Sequence, residues 1–249
     1  MKPIAVVLSC EHAVNHVPEE YRPHFMAHEH LLNSHRGIDF GAEAIASYLR
    51  DALACELVSA KATRLLIDCN RSLHHRHCFS EITYPLPTHE KETIRQRYYL
   101  PFRQDVEARI HSHLQAGKQV WHLSVHSFTP ILHEITRNTE IGLLYDPKRQ
   151  RERNLARHWQ QQIKHLDQGL RVRLNYPYRG VSDGFAASLR KKYSAEDYLG
   201  LEIESNQALV HENHAIAHLA CVLTTSLRIL LDNWQSISHQ TLPQTSQGG

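Results

Sequence analysis

The stretch Val6-Val7-Leu8-Ser9-Cys10-Glu11-His12-Ala13-Val14-Asn15-His16-Val17-Pro18, VVLSCEHAVNHVP, lies near the start of a chain of 249 residues. From Ile4 to Ser9 it is an aliphatic, largely β-branched run, of the length and type of a buried strand. It then breaks into a carboxylate and two imidazoles, Glu11, His12 and His16. A strand that buries its body holds its last residues rigidly, and rigid placement is what a ligand shell needs. The stretch predicts an α/β protein whose working residues follow the strand ends.

The same change from apolar to polar recurs along the chain. Strands are expected at 56–60, at 64–68 (ending in Asp68-Cys69-Asn70-Arg71), at 120–125 (ending in His126-Ser127), at 141–145, at 172–174 and at 201–204, where Glu204 closes the run. Between them, 39–53 has helical spacing through Phe40, Ala44, Ile45, Tyr48 and Leu49. The segment 91–114 repeats Ile94, Tyr98, Phe102, Val106 and Ile110 every four residues, with Pro101 as a kink or break. A charged, mostly exposed helix is expected over 149–166, and a helix over 214–231 that covers one face of the sheet. Alternating strands and helices imply a mixed, mainly parallel sheet with helices on both faces, a three-layer α/β/α architecture. In such sheets the functional crevice lies beyond the carboxyl ends of the strands.

Composition narrows the function classes. An apolar content of 41% supports one domain, taken as 1–235, with a polar tail from 236 to 249 expected to be disordered. A formal net charge of +2 is too small to suggest nucleic acid or an anionic membrane as partner. The run Lys148–Arg153 reads as a solvated helix face. Five scattered cysteines without C-x-x-C spacing fit free thiols in a reducing cytoplasm. The first residues lack a signal-peptide pattern, and no apolar run reaches membrane-spanning length. A soluble cytoplasmic protein, monomeric or a small homo-oligomer, is the expectation. Most of the 21 histidines are expected on the surface, and the cluster His74-His75-Arg76-His77-Cys78 is read as exposed or rim.

Collected at one crevice, the strand ends supply two imidazoles, several carboxylates and a guanidinium. Two histidines and a carboxylate with an open fourth position make a catalytic zinc shell, and a separate carboxylate could then serve as general base. The compact H-E-x-x-H signature is absent.

The ordered motifs SCEHAVNHVP, DFGA, RLLIDCNR, SVHSFTP, NYPYRG and LEIESNQ, over roughly 5–210, resemble the N-formylglutamate amidohydrolases. That family is similar in fold to zinc-dependent carboxypeptidases and aspartoacylase-type deacylases. The resemblance implies hydrolysis of a small acidic N-acyl amino acid, N-formyl-L-glutamate to formate and L-glutamate in histidine breakdown, with a divalent metal, expected to be zinc; the alternatives are a deacylase or carboxypeptidase-like hydrolase of another N-acyl amino acid, or a non-catalytic relative that binds an acidic ligand. It implies His12 and His126 as metal ligands. The H-x-x-E pair of the carboxypeptidases has Asn15 at its last position here, which leaves the third ligand open between Asp39, the first choice, and Glu11. Glu204 matches the glutamate that activates water; Glu202, two residues away and on the same face of a strand, is the alternative base, and the motif match alone favours Glu204. Asn70 and Arg71 match the substrate-binding pair, with Arg64 and Arg179 as further candidates. Asp68 is expected to orient its neighbours.

Overall fold

The alternation of side chains along the strands decides where everything else sits. The computed structural model describes residues 2–210 and 212–237. Among them are eight strands: β1 (Ile4–Cys10), β2 (Glu56–Ser59), β3 (Gln119–Phe128), β4 (Ile131–Leu132), β5 (Ile135–Thr136), β6 (Ile141–Leu144), β7 (Val172–Leu174) and β8 (Tyr198–Asn206). Six form one sheet in the order β2-β1-β3-β8-β6-β7, while β4 and β5 make a separate hairpin. β2, β1, β3 and β8 are parallel; β6 runs antiparallel to β8, and β7 follows β6. The chain leaves β1 for β2 on one side and returns to β3 on the other. That reversal opens a crevice beyond the ends of β1 and β3.

Helices cover both faces, giving the expected α/β/α layers. They are α1 (Ala42–Leu53), α2 (Thr88–Ile94), α3 (Leu100–Gln115), α4 (Gln150–Leu166), α5 (Phe185–Arg190) and α6 (Asn213–Ile237). Leu8, Trp121, Leu123, Leu201 and Ile203 point to one side and form a core with Ile45 of α1, Trp159 of α4 and Leu223 and Trp234 of α6. Val7, Val120 and Tyr198 point to the other and meet Phe102, Val106 and Ile110 of α3 and Phe185 of α5. Each parity of the strands therefore serves a different layer.

Four expectations are corrected. Residues 64–68 are not a strand but a buried series of turns. Its apolar run mimics a strand, but its carbonyls are satisfied by side chains: Ser80 Oγ donates to the Leu65 carbonyl and Thr83 Oγ1 to that of Leu66. The segment 91–114 is interrupted, as expected, but by a π-helical turn over Arg95–Tyr99 just before Pro101 and not at the proline itself. The face at Lys148–Arg153 is not simply solvated. Arg149 donates to the carbonyls of Tyr198, Arg190 and Tyr193, and buried Glu152 accepts from Arg190 and from the Gly200 amide. Finally, α6 is longer than read and has the length and apolarity of a membrane span, but Leu219, Leu223, Leu227, Leu230 and Trp234 are buried in the sheet core, so it is a core helix here. The tail expected from 236 lies outside the described residues from 238 onward.

Candidate functional site

Four loops deliver the site, and each is fixed by its own local chemistry. His12 follows β1 directly. The DFGA loop is tied to it by a hydrogen bond from the Asp39 amide to the His12 carbonyl, 3.1 Å. Gly41 has φ +76°, and a Cβ there would lie 2.6 Å from Val210 Cβ. Only glycine accommodates both, so α1 starts at once and Asp39 stays turned toward His12. In RLLIDCNR, Asp68 Oδ1 accepts from the Asn70 amide, 2.9 Å, an Asx turn that presents Asn70 and Arg71. In NYPYRG, Asn175 Oδ1 accepts from the amides of Tyr145 and Gly180. A Cβ on Gly142 would fall 1.9 Å from the Tyr176 carbonyl oxygen. This loop is therefore clamped onto the end of β6, with Tyr178 and Arg179 over the crevice. His126 and Glu204 are neighbours in the β3–β8 register.

These loops converge on a cavity of about 250 Å³ lined by His12, Asp39, Arg64, Asn70, Arg71, His126, Arg179, Glu202 and Glu204, among others. Every candidate site residue faces it except Glu11 and Asp68, which lie outside its lining. A larger cavity lies at the opposite end of the sheet, around Lys2, Glu56 and Lys118, away from all of them. His77 lines the adjoining mouth and His74 is exposed, so the histidine cluster is rim.

The two imidazoles meet one carboxylate oxygen with the same ring atom. His12 Nδ1 lies 3.1 Å and His126 Nδ1 3.0 Å from Asp39 Oδ2, and one ligand atom from each of the three residues lies within 4.8 Å of the others. Their outer nitrogens are engaged too. His12 Nε2 is 2.8 Å from Asp68 Oδ1; His126 Nε2 is 2.8 Å from Ser124 Oγ and 3.3 Å from Glu11 Oε2. Glu11 thus stands behind His126, and Asp39 rather than Glu11 joins the two histidines. Asp68 orients His12, as expected. An imidazole with carboxylates at both nitrogens must either carry an extra proton or give one nitrogen to a cation. With a cation at Nδ1 and Nε2–H donating to a carboxylate, both rings adopt the usual arrangement of a metal-ligating histidine.

Charge supports the same fit. Glu11, Asp39, Asp68, Glu202 and Glu204 are all buried, and among them only Arg64 makes a guanidinium ion pair, to Asp39 (3.2 Å) and Asp68 (3.0 Å). Asp39, Asp68 and Glu11, the three whose surroundings favour the ionised form, face one paired arginine and leave a deficit that a divalent cation would fill. Two imidazole nitrogens and a carboxylate oxygen are a zinc-type donor set. Arg64 spends its fork on these two aspartates, so it braces the shell instead of reaching freely into the cavity.

Burial and partners separate the carboxylates. Burial would raise Asp39, but His12, His126 and Arg64 outweigh it and hold the group well below its ordinary value. Glu11 is likewise driven down to about 2, with His126, His122 and Ser124 overcoming burial. Glu204 goes the other way. Burial, reinforced by the charges of Asp39 and Glu202, pushes it up to about 8 against His126 and Arg64, and its Oε2 is buried with no hydrogen-bond partner. A reactive carboxyl aimed into a cavity has this profile.

The cationic side of the cavity is less committed. Arg71 Nη1 donates to the Asp183 carbonyl, 2.6 Å, and is not paired with Asp68. Asn70 Oδ1 accepts from the Phe185 amide, 2.7 Å, at the start of α5, and its Nδ2 makes no hydrogen bond among the described residues. Arg179 is exposed and has no partner among them. A hydrogen-bonded layer behind the site was missed from sequence: Ser124 Oγ and Ser9 Oγ both donate to Glu11, and Ser9 Oγ also meets His122 Nε2, whose Nδ1 meets the Tyr198 hydroxyl. The signal was the strict alternation in Trp121-His122-Leu123-Ser124-Val125-His126 and Leu201-Glu202-Ile203-Glu204.

Comparison with known proteins follows the same line. A family model described as N-formylglutamate amidohydrolase matches residues 4–211. The crystal structure of a gene product of Agrobacterium tumefaciens is similar, with a TM-score of 0.80 and 27% identity over 93% of this chain and 92% of that one. That of N-formylglutamate amidohydrolase from Ralstonia eutropha is similar in fold, with a TM-score of 0.72 and 19% identity over 94% of this chain and 95% of that one. No curated protein matches the chain.

Proposed function

Since the chain belongs to the N-formylglutamate amidohydrolase family, a family of hydrolases, we propose that it is a metal-dependent amidohydrolase of small acidic N-acyl amino acids, N-formyl-L-glutamate foremost. The observation that carries this reading is the meeting of His12, Asp39 and His126 at one point, beside a buried, unpartnered Glu204. His12 and His126, through Nδ1, and Asp39, through Oδ2, would hold the ion, expected to be zinc. When bound, such an ion supplies Lewis acidity to water and to the acyl carbonyl.

The chain's own groups do the rest. Glu204 takes a proton from the attacking water and returns it to the leaving nitrogen; a base so placed contributes on the order of a hundred- to ten-thousandfold. Asp68 and Glu11 fix the two rings from behind, and Arg64 holds both aspartates in place. Arg71 and Arg179 present guanidinium groups to the ligand's carboxylates, with the Asn70 amide beside them. A cavity of about 250 Å³ suits an amino-acid-sized ligand better than a peptide.

The test is formate release from N-formyl-L-glutamate, beside a panel of other N-acyl amino acids, before and after chelation and zinc return. Release that is lost with chelator and restored by zinc is expected, with acidic substrates preferred. Turnover untouched by thorough chelation would defeat metal dependence. Preference for a neutral N-acyl amino acid would defeat the assignment of Arg71 and Arg179.

A further inference from the structure

Two carboxylates, not one, face the cavity without a hydrogen bond or ion pair among the described residues: Glu204 and Glu202. The other acids in the lining are engaged. Asp39 is held by His12, His126 and Arg64, and Asp183 accepts from the Ser72 amide, 3.0 Å. Glu202 lies opposite Ser124 in the sheet, as Glu204 lies opposite His126. The two acids therefore share a face of β8, one pleat or about 6.6–6.8 Å apart. Glu204 has work to do as the base; nothing in that role needs Glu202.

An unpaired carboxylate is costly to bury, and it repels an anionic ligand. A bound molecule that turns a donor toward it would offset that cost. An N-acyl amino acid with ionised carboxylates has one donor, the N–H of the bond to be cut. Its acyl oxygen and carboxylates are acceptors and belong with cations and amide donors. With Glu204 given to water, Glu202 is the acceptor left over.

We propose that Glu202 accepts a hydrogen bond from the scissile N–H and then holds the amine product, which makes it the residue that selects for the nitrogen side of the substrate. The inference rests on the amidohydrolase reading above. The water oxygen bonds to the acyl carbon, the C–N bond breaks with its electron pair passing to nitrogen, and Glu204 relays a water proton to that nitrogen. The acid product then gives its proton to the amine, leaving formate and an ammonium group. Before cleavage Glu202 meets a neutral N–H; afterwards it meets a cation. Burial raises its pKa, and an arriving ammonium favours its ionised form.

This asymmetry is testable in the full-length, zinc-loaded enzyme with Glu202→Gln, which keeps an acceptor oxygen but loses the charge. Toward the substrate N–H the variant loses only the charge assistance of the acceptor, whereas toward the product ammonium it also loses an ion pair, so the inhibition constant of L-glutamate is expected to rise about tenfold or more and by several-fold more than the Michaelis constant for N-formyl-L-glutamate. Glu202→Asp should recover part of the affinity for L-glutamate. Melting temperature should not fall in Glu202→Gln, since no native hydrogen bond is removed. Equal weakening of both ligands with a lowered melting temperature, or no weakening of L-glutamate in either variant, would overturn the proposal. A parent enzyme that releases no formate from N-formyl-L-glutamate would defeat the amidohydrolase reading itself, and the inference with it.

Discussion

The two faces of β1, β3 and β8 are built from alternate residues of the same strands, yet they obey different rules. One face presents Leu8, Trp121, Leu123, Val125, Leu199, Leu201 and Ile203 to α1, α4 and α6, with polar side chains of the same parity, Gln119, Ser127 and Ser205, only near the strand ends. The other presents Ser9, His122, Ser124, His126, Glu202 and Glu204, continued by Glu11 just beyond β1, and all are buried. On the first face burial stabilises, at roughly 25 cal/mol per Å² of apolar surface. On the second, burial costs unless each group finds a partner. Ser9, Glu11, His122, Ser124 and His126 do find partners, in one connected layer. Glu202 and Glu204 do not, and both face the cavity, beside His126. One parity of the sheet specifies the fold, and the other gives up stability to hold a site.

Substitutions on the two faces should therefore fail in different ways. The largest effect is expected at Glu204. Glu204→Gln should lower turnover by at least about a hundredfold while leaving zinc content, measured by elemental analysis, unchanged; full turnover would remove Glu204 from the chemistry. The same variant should gain stability. The folded-state value of Glu204 is raised from 4.5 to about 8, so its ionisation in the unfolded chain favours unfolding progressively as pH climbs from about 4.5 to 8. In zinc-free protein the Glu204→Gln variant should melt above the parent, by a margin that grows from pH 5 to pH 8 and then levels off. The full shift corresponds to about 5 kcal/mol as an upper bound. A margin that shrinks with pH would contradict the assignment.

Across the sheet, Leu123→Ala should do the reverse. It should cost about 2–5 kcal/mol of stability, read from denaturant melts, because it opens a cavity in close-packed core. The Michaelis constant should stay near the parent's. A variant that keeps its stability and loses substrate affinity would blur the division between the faces. A smaller, more local effect is expected at the rim. Arg179→Ala should raise the Michaelis constant for N-formyl-L-glutamate about tenfold, the low end for losing a hydrogen bond to a charged group, with no loss of melting temperature. Arg71→Ala should raise it too, while also freeing the Asp183 loop that Arg71 now holds.

Much of this was readable in the residues because strand ends are local events. An aliphatic run that stops at Glu11-His12, at His126 or at Glu204 announces both an element and the polar group placed at its end, and these groups do converge. The Arg64–Asp68 segment misled because its apolar run is as dense as a strand's. What makes it a coil is hydroxyl donors at Ser80 and Thr83, more than ten residues on, which no local pattern reveals. Arg149 and Glu152 looked solvated because their partners, Arg190, Tyr193 and Gly200, come from distant elements. Glu11 could be placed beside His12 by sequence, but only the side-chain direction shows it facing the outer nitrogen of His126. Chain order fixes adjacency; the direction a side chain takes needs the fold.

The central claim is that His12, Asp39 and His126 enclose a catalytic divalent cation. Anomalous scattering at the zinc edge, from crystals of active enzyme purified with zinc, tests it most directly. One strong peak per chain, bounded by Nδ1 of His12, Nδ1 of His126 and the Asp39 carboxylate, is the predicted result. Protein that turns over substrate with no ion between those three side chains, or with its only ion elsewhere, would contradict it.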